Sequence, residues 1–137
     1  MDELQEWVQN GIKVETITWA EAFANDLARS TRVPGDRGRD RNIKPMSTSQ
    51  LRKFFGEIKR IQAMGFDSTD AKDDVLMLKP KLAYAVGRDK GETKLDMFYQ
   101  KMSIALDAID LQNEKHFNNF IKIFEAVVAY HKAAGGE

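Results

Sequence analysis

Apolar residues recur along this chain at intervals of three and four positions, the spacing that places side chains on one face of an α-helix. No stretch alternates apolar and polar residues for long enough to indicate a β-sheet. The clearest helical face lies within residues 47–64 and consists of Leu51, Phe54, Phe55, Ile58 and Ile61. The pattern therefore predicts an all-α fold.

Capping signals mark the ends of the first two predicted main helices. Thr18-Trp19-Ala20-Glu21 has the capping-box pattern, so we expect the first helix to run from Thr18 to about Arg29. A second capping box, Ser47-Thr48-Ser49-Gln50, begins the next helix, and Gly65 is placed to end it.

The third predicted helix is capped by Ser68 or Thr69. Proline lacks an N–H group and is tolerated best in the first turn, so Pro80 either kinks this helix or starts a new one. Gly87 is expected to close the segment.

Long apolar faces define the fourth and fifth helices. The fourth carries apolar residues at helical spacing from Leu95 to Ile109. The fifth begins near Asn113, and its apolar stripe, which should be buried, is Phe117, Phe120, Ile121, Phe124, Val127, Val128 and His131. Five main helices with short links predict a helical bundle.

Residues 33–45 separate the first two main helices. They are rich in turn formers and arginine and contain no apolar anchor, so they are predicted to form a flexible, mobile basic loop. Residues 4–14 allow a further short helix, which Gly11 interrupts. The length of 137 residues suits a single helical domain covering residues 1–137.

The composition excludes several classes of protein. The chain has no cysteine, which rules out a disulfide scaffold, a thiolate nucleophile and a cysteine zinc site. The first residues resemble no signal peptide, and no apolar run approaches the ~20 residues needed to span a bilayer. We therefore expect a cytoplasmic protein without membrane contact.

Catalytic chemistry is not visible in the sequence. His116 and His131 are fifteen residues apart, about 22 Å along a helix, so they cannot share one metal. His131 continues an apolar stripe and is expected in the core. The carboxylates of Asp67, Asp70, Asp73 and Asp74 either bind a cation or favour the start of a helix, and they lack the spacing of a calcium loop. We predict no enzyme activity, no catalytic residue, no metal site and no cofactor.

The net charge of zero hides a segregation of charge along the chain. Residues 1–28 carry one Lys or Arg against six Asp or Glu, residues 29–94 carry sixteen against nine, and residues 95–137 carry four against six. Such a basic stretch predicts contact with a phosphate backbone, although solvated helix faces are the alternative. In the second main helix Arg52, Lys53, Lys59 and Arg60 lie opposite the apolar face, with Gly56 among them.

Two sequence motifs resemble those of a known protein family. Lys44-Pro45-Met46-Ser47-Thr48-Ser49-Gln50-Leu51-Arg52-Lys53-Phe54-Phe55 resembles the (T/S)-S-Q-(I/L)-R-K-(F/Y) helix start of the small subunit of type III-A CRISPR effector complexes, the Csm small subunit. Leu78-Lys79-Pro80-Lys81-Leu82-Ala83-Tyr84-Ala85-Val86-Gly87-Arg88 is similar to the L-K-x-K-(L/I)-A-Y-x-x-G-R segment of that family. The resemblance covers residues 43–134. Residues 1–42 match no family pattern, and residues 1–14 are interpreted as a variable N-terminal segment.

The resemblance implies a non-catalytic structural subunit of a ribonucleoprotein. Copies of such a subunit stack on one another and on other subunits of the effector complex, and they contact the backbones of the guide RNA and the paired target RNA. The motifs assign RNA contact to Lys44, Arg52, Lys53, Lys79, Lys81 and Arg88, and the helix-face analysis adds Lys59 and Arg60. Tyr84 is interpreted as a packing residue, with base stacking as the alternative.

Two other functions remain open on the sequence. The first is a helical protein–protein adaptor whose basic face binds an acidic partner. The second is an enzyme that works only within a larger assembly. RNA binding that weakens steeply with salt would separate the RNA-binding subunit from the adaptor. The sequence assigns no role to Arg37, Arg39 and Arg41 in the basic loop.

Overall fold

Six α-helices and one short β-hairpin make up residues 2–135, the part of the chain that the computed structural model describes. The helices are α1 (Glu3–Asn10), α2 (Val14–Leu27), α3 (Thr48–Met64), α4 (Thr69–Asp89), α5 (Leu95–Asp107) and α6 (Glu114–Ala133). The hairpin strands are β1 (Thr31–Pro34) and β2 (Asp40–Ile43). Met1, Gly136 and Glu137, which belong to the predicted domain, lie outside the described residues. The fold is mainly α-helical as predicted, but with one more helix and a small sheet.

The additional helix is α1. The side chain of Asp2 accepts the backbone N–H of Leu4 at 2.8 Å, and the side chain of Gln5 accepts the N–H of Asp2 at 3.2 Å, which satisfies two N–H groups at the helix start. Gly11, with φ of 110°, ends the helix. Leu4, Trp7 and Val8 are buried, so α1 is part of the hydrophobic core.

Helix α2 begins at Val14, so the predicted start at Thr18 was wrong. The Oγ1 atom of Thr16 accepts the backbone N–H of Lys13 at 2.8 Å and closes the first turn there. Thr18 therefore lies inside the helix, where its hydroxyl donates to the carbonyl of Val14. The N-cap is thus Lys13, five residues before the predicted one, and Thr16 supplies the capping hydrogen bond from within the first turn.

The segment predicted as an irregular, flexible loop at residues 33–45 forms most of an antiparallel hairpin. A tight turn at Asp36–Gly38 joins the strands, and Arg37 and Gly38 both have positive φ there. Gly35 precedes the turn, and a Cβ atom at this position would collide with the carbonyl oxygen of Arg39. The glycines and polar residues that indicated a loop are thus those of a hairpin turn.

Backbone hydrogen bonds tie the C-terminal end of the hairpin to the bundle. The N–H of Lys44 donates to the carbonyl of Glu92 at 2.8 Å, and the N–H of Lys94 donates to the carbonyl of Lys44 at 2.9 Å. Met46, which is fully buried, donates its N–H to the carbonyl of Leu27 at 2.8 Å. These partners are far away in the sequence, and so the anchoring could not be read from the local composition.

Helix α3 has the ends that its capping signals predict. The hydroxyl of Ser47 accepts the N–H of Gln50 at 3.1 Å, and the side chain of Gln50 accepts the N–H of Ser47 at 2.8 Å. Gly65 ends the helix with φ of 90°. The predicted beginning and end are both confirmed.

Helix α4 continues through Pro80 and Gly87, so Pro80 does not start a new helix and the predicted end at Gly87 was wrong. Pro80 is exposed, and so is Leu76, whose carbonyl group loses its helical partner. Water can therefore bond to that carbonyl. The helix ends instead at Lys90, which has a left-handed conformation with φ of 53°. Ser68 caps the start, as predicted, by accepting the N–H of Ala71 at 3.2 Å.

Helix α6 is the centre of the packing. It contacts α1, α2 and α3, whereas α4 contacts α3 and α5. The ring of Phe124 lies 5.5 Å from that of Phe98 in an edge-on arrangement and 5.8 Å from that of Phe55 in a stacked one. The prediction that Phe120 and Phe124 are buried is confirmed, since each is only 1% exposed.

His131 completes the stripe as a buried residue with a hydrogen-bond partner. Its Nε2 atom lies 2.7 Å from the carbonyl oxygen of Met46. The expected place in the core is confirmed, and the imidazole fixes the end of α6 against the segment that leads into α3.

No helix within residues 2–135 combines the length and the apolar character needed to cross a lipid bilayer. The cytoplasmic location of the chain stays a prediction.

Truncation of the α6 stripe tests this packing. Phe120→Ala or Phe124→Ala should lower the free energy of unfolding by about 3–5 kcal/mol, because each leaves a cavity among buried aromatic rings. Lys122→Ala, an exposed change on the same helix, should stay within about 0.5 kcal/mol of the wild type. Thermal and denaturant unfolding measure both. A loss for the phenylalanine variants as small as that of Lys122→Ala would contradict the packing.

Candidate nucleic-acid interface

A groove of about 660 Å³ runs between α3 and α4. Its walls combine basic, aromatic and acidic side chains. From α3 come Gln50, Lys53, Phe54 and Glu57, from α4 come Lys81, Tyr84, Ala85, Arg88 and Asp89, and Leu95 closes one end.

Helical periodicity places these side chains on facing stripes. The α3 residues follow the spacing i, i+3, i+4 and i+7, and the α4 residues follow i, i+3, i+4, i+7 and i+8. Buried Leu51 and Ile58 on α3, with buried Leu78 and Leu82 on α4, hold the two helices in this orientation. The burial of apolar neighbours thus turns the polar stripes towards each other.

Glu57 is the electrostatic centre of the groove. Its carboxylate accepts hydrogen bonds from Arg60 at 2.7 Å and from Lys81 at 3.0 Å, and Arg60 also donates to Asp74 at 3.0 Å. The hydrogen bonds from Arg60 and then Lys81 lower the pKa of Glu57 to about 2. The hydrogen bonds to Glu57 and then Asp74 raise the pKa of Arg60. Two cations predicted to contact RNA are therefore already paired with carboxylates.

Two further predicted cations point away from the groove. Lys59 pairs with Glu125 of α6 at 3.3 Å. Lys79 donates to both carboxylate oxygens of Asp107 of α5 at 2.9 Å, and these hydrogen bonds raise its pKa. The basic residues of α3 do not form one surface, since Lys59 reaches α6 whereas Arg60 reaches α4.

The other four predicted cations are Lys44, Arg52, Lys53 and Arg88. All four are exposed, and none has an ion pair with a carboxylate within residues 2–135. Lys53 and Arg88 line the groove from opposite walls, and the guanidinium of Arg88 lies 6.0 Å from the ring centre of Tyr84. Lys44 lies outside the groove, beside Thr93. Arg52 is on α3 next to Lys53 in the sequence, but it does not line the groove.

Tyr84 is 69% exposed, which removes the interpretation that it packs into the core of its own chain. Gly56 also lies on an open surface, because a Cβ atom there would meet no other atom within 4 Å. No contact among residues 2–135 accounts for this glycine. Lys94, one of the basic residues of the central stretch, is by contrast buried, and its ammonium donates to the carbonyl of Asp26 at 2.6 Å. Desolvation lowers the pKa of Lys94.

The carboxylates that neutralise the basic residues were missed at the sequence level. Only the pair of Glu57 and Arg60 had a local signal, the i, i+3 spacing within one helix. Asp74, Asp107 and Glu125 come close to their partners through packing between helices. The hairpin arginines Arg37, Arg39 and Arg41 are exposed, and Arg41 donates to the carbonyl of Gly91 at 3.3 Å.

Within residues 2–135 no three histidine, aspartate or glutamate side chains lie close enough together to hold a metal ion. Of the four aspartates around the start of α4, Asp74 is paired with Arg60. Asp70 lies in the first turn, where a carboxylate interacts favourably with the helix dipole.

Comparison with known proteins gives one match. The model of the family described as Csm2 Type III-A matches residues 21–137. No curated protein and no solved structure matches significantly. The match begins in α2 and includes the hairpin, so it extends further towards the N-terminus than the two sequence motifs. The chain therefore belongs to the Csm2 family, the small subunit of the type III-A Csm complex of CRISPR systems.

Proposed function

We propose that this subunit is a non-catalytic RNA-binding component of its complex. In this proposal it contacts the backbones of the guide RNA and the target RNA through the α3–α4 groove and the exposed cations beside it. The observation that carries the proposal is the presence of Lys53 and Arg88, cations without a carboxylate partner within residues 2–135, in the groove of a chain that belongs to the Csm2 family. Lys53 and Arg88 line opposite walls of the groove, Lys44 lies beside Thr93, and Arg52 lies on another face of α3.

The chemistry of the groove favours phosphate recognition without sequence preference. Lysine and arginine bind phosphate oxygens, which carry no base information. Paired cations can still contribute, because ion pairs between exposed side chains are worth at most about 1 kcal/mol and can exchange with a phosphate. Lys81, Lys59, Arg60 and Lys79 are then a second, weaker group of contacts. Each must leave a carboxylate to reach RNA.

The alternative is an adaptor whose basic face binds an acidic protein. The groove carries an exposed aromatic ring among its cations, and a phosphodiester chain with bases matches both features. RNA binding is therefore the better supported of the two. The proposal gives the chain no catalytic role.

Stacking with other subunits is the second part of the proposal. Two exposed apolar patches are available for it, one at Ile12, Val14 and Ile17 and one at Leu76 and Met77. The first lies in the acidic part of the chain, where residues 1–28 hold six acidic side chains against one basic, and the second lies in the basic part. Opposite charges favour a head-to-tail contact between two copies, which extends along an RNA instead of closing into a dimer.

Removal of the unpaired cations tests RNA contact. Arg52→Ala, Lys53→Ala and Arg88→Ala combined should weaken binding to RNA of any sequence and reduce the slope of log K against log salt by about two to three. Fluorescence anisotropy with labelled RNA measures both quantities.

The matched control is Lys101→Ala, Lys115→Ala and Lys122→Ala, which removes the same charge from α5 and α6 and should have a much smaller effect. Equal weakening of RNA binding by both sets of substitutions would contradict a defined interface.

The wild-type chain incubated with the RNA and Mg²⁺ should leave the RNA intact. Cleavage that survives repurification would contradict the non-catalytic role.

Glu57→Gln should raise RNA affinity. The substitution removes a charge from the groove and frees Lys81, while Arg60 stays paired with Asp74. The slope of log K against log salt should therefore steepen by about one.

Because the pKa of Glu57 is about 2, below the ordinary 4.5, its ionised form stabilises the fold above pH 4.5 and this contribution is lost only as pH falls towards 2. The carboxylate therefore competes with RNA throughout pH 5–8.

Glu21→Gln is the control for Glu57→Gln, since it makes the same charge change at an exposed position of α2. It should leave the affinity close to that of the wild type. An equal increase in RNA affinity in both variants would show a general charge effect and would contradict a specific role of Glu57 in the groove.

Stacking can be measured as cooperativity between two copies on one RNA. Val14→Glu or Leu76→Glu should lower the cooperativity of the second copy without changing the affinity of the first, because each places a charge in an apolar contact. Ala129→Glu, at an exposed position of α6, is the control. Unchanged cooperativity in both patch variants would contradict these patches as stacking surfaces.

A further inference from the structure

Tyr84 has an unusual position for a large aromatic residue. It stands on α4 at the wall of the groove and is 69% exposed, although the other aromatic side chains of the groove region pack against the core. A side chain that stays 69% exposed has lost little water-contacting surface on folding, so its burial adds little to the stability of the bundle. If the ring takes part in binding, a ligand or a partner protein covers it.

The surroundings of the ring leave one face open. The guanidinium of Arg88 lies over the ring, 6.0 Å from its centre. The residues four before and three after Tyr84 on the helix are Pro80 and Gly87, which are too short to cover the other face. A flat group can therefore stack on the face of Tyr84 that Arg88 does not cover, at the edge of the groove.

Charge around the ring identifies the flat group as a nucleobase. Lys53 and Lys81 line the same groove and are placed to hold the phosphates on either side of a base. Unpaired bases of RNA stack on tyrosine rings and on arginine guanidinium planes, whereas paired bases inside a duplex have no free face. The groove volume of about 660 Å³ exceeds that of one nucleotide.

The acceptor groups of the groove are already engaged within the chain. Asp89 accepts hydrogen bonds from the N–H and hydroxyl groups of Thr93, and the side-chain oxygen of Gln50 accepts from the N–H of Ser47. Glu57 accepts from Arg60 and Lys81. Recognition then depends mainly on stacking area, which predicts a preference for purines over pyrimidines.

We propose that Tyr84, with Arg88 over its ring, is a stacking platform for one unpaired nucleobase of the bound RNA. This inference rests on the proposed function, because the phosphates flanking the base are held by the same groove. It adds a contact that backbone binding alone does not need.

The experiment compares three labelled RNA duplexes of equal length by fluorescence anisotropy. One is fully paired, one has a single unpaired adenosine, and one has an abasic site in place of that adenosine. The wild-type chain should bind the second duplex roughly five- to one-hundred-fold more tightly than the third, the range expected for one stacked base. Tyr84→Phe should keep this difference, and Tyr84→Leu and Tyr84→Ala should abolish it while binding the abasic duplex as the wild type does.

The outcomes separate the two proposals. If the wild-type chain binds all three duplexes with equal affinity in a salt-dependent manner, the platform is wrong and backbone binding stands. If it binds none of them, the proposed function fails and the platform fails with it. If Tyr84→Ala weakens all three equally, or changes only the association of the protein with itself, the ring belongs to a structural or protein contact and the platform is overturned. Circular dichroism and melting temperature verify that each variant is folded.

Discussion

Burial of the aromatic stripe of α6 is the constraint on which the rest of this structure depends. The ring of Phe124 lies against Phe55 of α3, Phe98 of α5 and Phe120 of its own helix, and α1 and α2 pack on the same helix. The ring of Phe55 stacks on that of Phe124 at 5.8 Å, which fixes the rotation of α3 about its axis. Because Phe55 faces α6, Lys53 and Glu57 face α4. The groove is thus a consequence of how the core is filled.

In the proposed function, competition between carboxylates and phosphates sets how strongly the basic surface binds RNA. Half of the eight cations expected to contact RNA are held by carboxylates of the same chain. Each of these ion pairs must break before its cation reaches a phosphate. We therefore expect a single copy to bind RNA modestly and strong binding to need several copies along one RNA. This expectation agrees with the role of a small subunit in a larger complex.

The sequence predicted the helices whose signals are local and missed the features that arise through contacts between distant residues. Helix α3 begins after Ser47 and ends at Gly65 as expected, and every residue of the α6 stripe except the half-buried Val128 is buried. The hairpin was missed because Lys44 is held by Glu92 and Lys94 through backbone bonds that no local pattern reveals. For the same reason the candidate site was predicted only in part. Residue types and helix faces indicated the cations, but packing between helices decides which of them find carboxylates.

The salt dependence of RNA binding tests the central claim most directly, namely that four unpaired cations supply most of the contacts. Each phosphate neutralised contributes about −0.7 to −0.9 to the slope of log K against log salt. Four contacts therefore predict a slope of about −3 to −4 for the wild-type chain on RNA that accommodates one copy. A slope of about −6 to −7 would mean that all eight cations bind phosphate and that the carboxylate pairs do not compete. Binding that is insensitive to salt would contradict backbone recognition altogether.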